Sequence, residues 1–161
     1  MKQLHIITPV KDSIESTLDT VKAIMGSDIQ VPFTYTIYND FSTEENTRRL
    51  EEASKEYGFQ LVNLSDLTDH PSPNYRLVLQ LTQKQALAEN KHLVIVESDV
   101  IVQTDTLNRM LTEVQEGVGM VAAVTVDENN EYNFPYHYLR HLRYRFLSRQ
   151  TITTKKRFSF C

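Results

Sequence analysis

The sequence predicts one α/β domain built on a mostly parallel central sheet with helices on both faces. Three observations point there. Strand-like and helix-like periodicities alternate from Leu4 to Val126, and each parallel pairing requires a crossover, usually a helix. The run Leu93–Val96 is an unbroken Leu-Val-Ile-Val, the pattern of a strand covered on both faces. A chain of 161 residues, 40% of them apolar, fits one compact domain of ordinary size or most of one.

Taken in order, Leu4–Thr8 reads as a strand that stops at Pro9, where the backbone loses a donor. Asp12 or Ser13 caps a helix whose inner face is Ile14, Leu18, Val21 and Met25, with Gly26 as its stop. Phe33–Tyr38 is the second strand. Ser42-Thr43-Glu44-Glu45 forms a capping box for a helix with Leu50, Ala53 and Tyr57 inward, and Gly58 ends it. Phe59–Leu64 is the third strand. After a polar loop holding Pro71 and Pro73, a helix runs from about Asn74 to Glu89 with the stripe Leu77, Val78, Leu81 and Ala88. His92–Val96 is the fourth strand. Thr104 caps a further helix with Leu107, Leu111 and Val114 inward, and Met120–Val126 is a fifth strand. The rhythm breaks there, so the domain is expected to span 1–126 and a different region 127–161.

Charge and glycine content exclude several function classes. The formal net charge is −4, which argues against a general nucleic-acid surface and against nucleic acid as a partner. The charge is unevenly spread: residues 131–161 hold seven Lys/Arg, one acid and eight aromatics, leaving residues 1–130 at −10. With only four glycines, neither a Gly-rich dinucleotide fingerprint nor a P-loop can be written. A bound phosphate would need some other cradle. The single Cys161 rules out an intramolecular disulfide and suits a reducing compartment. The longest apolar stretch, Val118–Val126, is too short for a bilayer span, and the first residues open no signal-peptide pattern. The expected location is cytoplasmic, with attachment to the inner face of a membrane left open.

In an open α/β sheet, ligands bind outside the carboxyl ends of the strands, where strand order reverses. The first strand delivers Thr8-Pro9-Val10-Lys11-Asp12 there, the second Asn39-Asp40-Phe41-Ser42, and the fourth Glu97-Ser98-Asp99. On an extended chain Glu97 and Asp99 would project to one side and share a hard cation, Mg²⁺ or Mn²⁺, with the small Ser98 between them. Two acids after a strand more often simply solvate a loop or cap the next helix; their place directly behind an apolar strand shifts the balance toward ligation. Asp40 is either a solvated turn residue or an acceptor for a base N–H. Arg76 lies early in its helix, where positive charge opposes the helix dipole, so it is either an ordinary surface residue or a clamp for a diphosphate. His70, His92, His137 and His141 show no ligand spacing with cysteine and read as surface or packing residues.

These segments together resemble the family 2 nucleotide-sugar glycosyltransferases of the GT-A fold, whose marks are a Pro-containing loop after the first strand, an Asp-Asp-Gly-Ser-Thr turn after the second and an Asp-x-Asp segment after the fourth. The corresponding residues are Ile7-Thr8-Pro9-Val10, Asn39-Asp40-Phe41-Ser42-Thr43 and Glu97-Ser98-Asp99. The resemblance covers about Leu4 to Val126 and implies a Rossmann-like three-layer domain that binds a nucleoside-diphosphate sugar, UDP-linked by preference, and passes the sugar to a carbohydrate or lipid-linked acceptor. It implies that Asp40 contacts the base, that Thr8, Pro9 and Val10 line the base and ribose site, that Arg76 and Ser98 lie along the nucleotide, and that Asp99 with Glu97 holds Mn²⁺ or Mg²⁺, which then replaces the glycine cradle.

The departures are equally specific. Asn39 stands for an acid, Phe41 for a glycine, Glu97 for the first Asp of the triplet, and Val100 where a further Asp is common. The family's catalytic acid lies well beyond the fifth strand, and Asp127, Glu128 and Glu131 are too close to that strand to supply it, so no catalytic base is assigned. The chain alone is expected not to transfer sugar, as a shortened enzyme or as a nucleotide-binding module; a nucleotidyltransferase is a weaker third reading. For residues 131–161 the competing readings are a peripheral membrane patch, a nucleic-acid surface and the start of an acceptor-binding region. The last is favoured, because Tyr138, Leu142 and Phe146 form one stripe with Arg140, Arg143 and Arg145 around it. Unpartnered, such a stripe should fray, self-associate, or pair with the same surface of a second copy.

Overall fold

A computed structural model describes residues 2–127 and 129 of the chain. They fall in two compact units, one ending at Asp105 and the other beginning at Thr106. Residues 131–161, to which the expected Tyr138–Phe146 stripe belongs, lie outside the described residues.

The first unit runs β1 (Leu4–Val10), α1 (Ile14–Met25), β2 (Phe33–Asn39), α2 (Glu44–Tyr57), β3 (Gln60–Asn63), a 3₁₀ turn at Leu64–Asp66, α3 (Tyr75–Ala88) and β4 (His92–Ile95). The four strands are all parallel in the order β3-β2-β1-β4. The chain therefore builds outward from β1 to β3, then crosses back to place β4 on the other side of β1. The order reverses between β1 and β4, and every carboxyl end lies on one edge.

Both faces of this sheet are covered. On one, Ile7, Tyr38, Leu64 and Val78 form a buried cluster with Phe41, Val62 and Leu93 packed against it. On the other, Leu4, Ile6, Thr8 and Ile37 are fully buried, and α1 packs with α2. The expectation of a parallel sheet with flanking helices holds in this unit.

Several local readings change for identifiable reasons. Pro9 does not stop β1; it pairs in register with Tyr38. Hydrogen bonding alternates along a parallel strand, and the even residues face β2, as Asp40 N donating to Val10 O shows, whereas Ile7 O accepts from Val96 N on the β4 side. Pro9 thus faces the β4 side, beyond the last paired residue Ile95, where no donor is required. β4 itself is an edge strand among the described residues, and Ile95 is 42% exposed, so its apolar run does not mean cover on both faces. Thr43, not Ser42, caps α2 by accepting from Asn46 N. The buried stripe of α3 is Val78, Thr82 and Ala86, an i, i+4, i+8 row that leaves Leu81 exposed; Thr82 can join it because its hydroxyl donates to Val78 O. Gly58 ends α2 with φ 79°, the left-handed conformation expected of it.

In the second unit, α4 covers Thr106–Thr112 with Leu107 buried, and ends before Val114. The expected strand Met120–Val126 is absent among the described residues apart from an isolated bridge at Val126, and Met120 is 85% exposed. A strand exists only through a paired neighbour, and alternating apolar residues do not supply one. No helix among the described residues is long and apolar enough to cross a membrane.

Candidate functional site

The loop leaving β1 is tied to the start of α2. Asp12 adopts φ 57°, a left-handed turn that Asp tolerates better than most residues. Its N donates to Ser42 Oγ at 2.9 Å, and its Oδ1 accepts from Thr43 N at 2.7 Å and Asn46 Nδ2 at 3.1 Å. The Thr43 and Asn46 donors hold the Asp12 carboxyl below its ordinary range. This negative charge at the start of a helix also complements the helix dipole. Asn39, at the end of β2, is engaged in the same framework: its Nδ2 donates to Thr47 Oγ1 and Asn63 Oδ1, both at 2.9 Å, and its Oδ1 accepts from Ser42 N. An amide can donate and accept in this way. The carboxylate that the resemblance expects here could not donate either bond.

Phe41 explains the missing glycine. It adopts φ 59°, the conformation for which glycine is the default, at a cost of about 1–2 kcal/mol for a residue with a side chain. The ring packs against the buried cluster of Ile7, Tyr38, Leu64 and Val78, and this burial offsets the strain. The turn geometry is kept by packing rather than by glycine.

Asp40 is the best-held carboxylate of the edge and only 8% exposed. Its Oδ2 accepts from Ser72 Oγ and Asn74 N, and its Oδ1 from Asn74 Nδ2, each at 2.8 Å. Burial, the largest single influence, raises its pKa, but the Asn74 and Ser72 hydrogen bonds, aided by Lys11, outweigh it and leave the net shift downward. Asp40 is therefore ionised and binds the N-terminal end of α3 to the end of β2. A carboxylate offers about four acceptor positions, so one on Oδ1 remains for a further donor. Ser72 and Asn74 escaped the sequence reading; the signal was polar residues set among prolines immediately before a helix.

Thr8 is fully buried, and its hydroxyl accepts from Tyr35 OH at 3.0 Å; burial pushes the Tyr35 phenol up to about 12. Val10 is 3% exposed, which leaves Pro9, half-buried, as the member of this trio with accessible surface. Thr8 and Val10 form the floor of the edge rather than its surface.

At the end of β4, Glu97 O accepts from Val100 N at 3.2 Å, which closes a turn over Glu97–Val100. The premise that Glu97 and Asp99 lie on an extended chain is therefore corrected: the two residues sit on a turn, so strand alternation does not set the directions of their side chains. Both side chains are exposed and Ser98 is half-buried. Tyr75, which the sequence reading also missed, opens α3 and donates from its hydroxyl to Glu97 Oε1 at 3.0 Å. Arg76 follows it, exposed. No group of three or more His, Cys, Asp or Glu able to hold a metal ion occurs among the described residues. Two exposed carboxylates are nonetheless the usual protein share of a Mg²⁺-type site, which completes its shell with substrate phosphates and water.

The edge thus joins β1, β2, β4 and the start of α3 around carboxylates. The model of glycosyl transferase family 21 matches residues 49–134, more than half of the sequence. The chain belongs to glycosyl transferase family 21. Family 2 was the resemblance read from the motifs; glycosyltransferase is the level at which the two agree. No curated protein matches the sequence. Among solved structures, this family 21 chain is similar to the mannosyltransferase PcManGT from Pyrobaculum calidifontis in complex with GDP-Man and Mn²⁺, with a TM-score of 0.56 and 19% identity over 76% of this chain and 35% of that one. It is similar to S. aureus TarS 1-349 in complex with UDP, with a TM-score of 0.54 and 16% identity over 77% of this chain and 39% of that one. Glucosyl-3-phosphoglycerate synthase from Mycobacterium tuberculosis in complex with UDP gives a TM-score of 0.54 and 15% identity over 78% of this chain and 45% of that one. At these identities the likeness establishes the GT-A fold. The family 21 chain spans less than half the length of each of these three structures.

Proposed function

We propose that the edge binds a nucleoside-diphosphate sugar, with UDP as the favoured nucleotide, and that the protein transfers the sugar to an acceptor hydroxyl. The observation that carries this reading is the convergence of Asp40, Glu97 and Asp99 on the carboxyl edge of β1, β2 and β4 in a glycosyltransferase-family chain that lacks a glycine-rich phosphate loop. Asp40 accepts from a base N–H through its remaining Oδ1 position. Pro9 borders the base, above the floor made by Thr8 and Val10, and Arg76 and Ser98 lie along the diphosphate. Asp99 and Glu97 hold Mn²⁺ or Mg²⁺, as the donor set favours. When bound, such a cation neutralises the diphosphate as it departs.

In the reaction, the acceptor oxygen forms a bond to the anomeric carbon while the bond from that carbon to the diphosphate oxygen breaks, its electron pair leaving with the nucleoside diphosphate. The hydroxyl proton passes to a general base, for which the described residues provide no assignment. The acceptor is a carbohydrate or lipid-linked hydroxyl, and residues 127–161 belong to the region that receives it. Support for the nucleotide and cation comes from PcManGT, solved with GDP-Man and Mn²⁺, and from the two relatives of fold solved with UDP.

Displacement of a fluorescent UDP analogue, measured in Mn²⁺, tests the donor class. A UDP-hexose is expected to displace it at least tenfold more effectively than ATP does. Equal displacement by ATP would contradict a nucleotide-sugar site, and stronger displacement by a GDP-hexose would overturn the choice of base.

A further inference from the structure

We infer that Tyr75 is a positioning residue for Glu97, fixing the orientation of one of the two carboxylates assigned to the cation; the inference rests on that assignment. The contact itself is the Tyr75 hydroxyl donating to Glu97 Oε1 at 3.0 Å. What makes it more than a surface pair is how firmly the Tyr75 backbone is held. Asn74, the residue before it, donates from N and Nδ2 to Asp40 and from Nδ2 to His70 O, and Asn74 is itself buried. Tyr75 therefore projects from an anchored helix start onto the turn that follows β4. Glu97 alone is a long, exposed side chain with several accessible rotamers, and a free carboxylate of that kind must be ordered when it takes a cation. With one lone pair of Oε1 committed to the phenol, the remaining acceptor positions of Glu97 are presented in a narrower range of directions.

The two carboxylates are unlike in this respect. Asp99 has no hydrogen-bond partner among the described residues, whereas Glu97 is oriented before any ligand arrives. Hydrogen-bond donors behind a ligating carboxylate commonly change metal affinity by 10–100-fold, and an exposed donor belongs at the lower end of that range. A continuous path of contacts also runs from Asp40 through Asn74 and Tyr75 to Glu97, so the carboxylate assigned to the base and one assigned to the cation share a single rigid support. The role assigned to Tyr75 is to act through Glu97, not on the donor sugar or the cation.

The test is Mn²⁺ binding to the full chain in the presence of UDP, followed by the electron paramagnetic resonance signal of free Mn²⁺, for wild type, Tyr75→Phe, Glu97→Gln and the double variant. Tyr75→Phe is expected to bind Mn²⁺ about tenfold more weakly with an unchanged thermal midpoint. The double variant is expected to match Glu97→Gln alone, because a donor with no carboxylate to orient contributes nothing. Wild-type affinity in Tyr75→Phe, or losses that multiply in the double variant, would overturn the positioning role while leaving the cation site intact. A lowered thermal midpoint accompanying the weaker binding would overturn it in favour of a purely structural role. Absence of Mn²⁺ binding in the wild type would instead overturn the cation assignment, and the inference with it.

Discussion

An Asp99→Ala chain is expected to bind UDP in Mn²⁺ no more tightly than the wild type does without cation, a loss of roughly a hundredfold, since removing a ligand should cost at least as much as removing a residue behind one. Asp99 is exposed, at the centre of the Glu97–Val100 turn. Its loss therefore costs little stability, because surface substitutions away from caps and networks usually change it by less than about 0.5 kcal/mol. Calorimetric titration of UDP, paired with a urea denaturation curve, separates the two effects. Unchanged UDP affinity in the variant would remove Asp99 from the cation site.

The second large effect concerns Asp40, where binding and stability are lost together. In Asp40→Asn, one carboxylate oxygen becomes an NH₂ group. Whichever way the amide is turned, it faces either Asn74 N or Asn74 Nδ2, both donors, and a buried donor left without an acceptor costs about 1–3 kcal/mol. The variant should thus be about 2 kcal/mol less stable at pH 7. The sign of the pH dependence follows from the downward shift of the Asp40 carboxyl from 3.8. A group whose folded pKa is depressed contributes stability above its unfolded value and loses it as pH falls through the folded one. Wild type and Asp40→Asn should therefore differ at pH 7, and the difference should begin to shrink as pH falls below 3.8 and vanish only below the depressed folded pKa. Urea unfolding across pH 3–7 checks this; a difference that is constant with pH would show that the Asp40 charge is not what holds α3.

The parallel sheet was legible because its signal is periodic and local: the alternating segments from Leu4 to Ile95 and Gly58 as the stop of α2 survive in the structure, whereas the segment Met120–Val126 does not form a strand. What escaped depends on relations between segments. Nothing near Pro9 reveals that its missing donor faces the side of β1 beyond the end of β4. The exposure of Ile95 likewise follows from which strand ends the described sheet, not from its own apolar run.

The carboxyl edge was legible for a related reason. Strand ends can be located from sequence, so Asp40, Glu97 and Asp99 could be assigned to it. Their partners could not. Ser72, Asn74 and Tyr75 meet Asp40 and Glu97 across more than twenty residues of chain, and no periodicity encodes such meetings. Thr8, expected from its place in the motif to line the base and ribose site, is fully buried, and its hydroxyl accepts from Tyr35 OH, a contact across 27 residues that the motif does not encode. Phe41 shows that a departure from a motif need not change the backbone, because side-chain packing can hold a conformation usually left to glycine.

We propose that a cation held by carboxylates, rather than a glycine-rich amide cradle, secures the diphosphate. Calorimetric titration of UDP into the wild-type chain, once with Mn²⁺ and once with the cation removed by chelator, measures this directly. Binding roughly a hundredfold tighter with Mn²⁺ is the predicted result, and equal affinity in the two titrations would contradict the proposal.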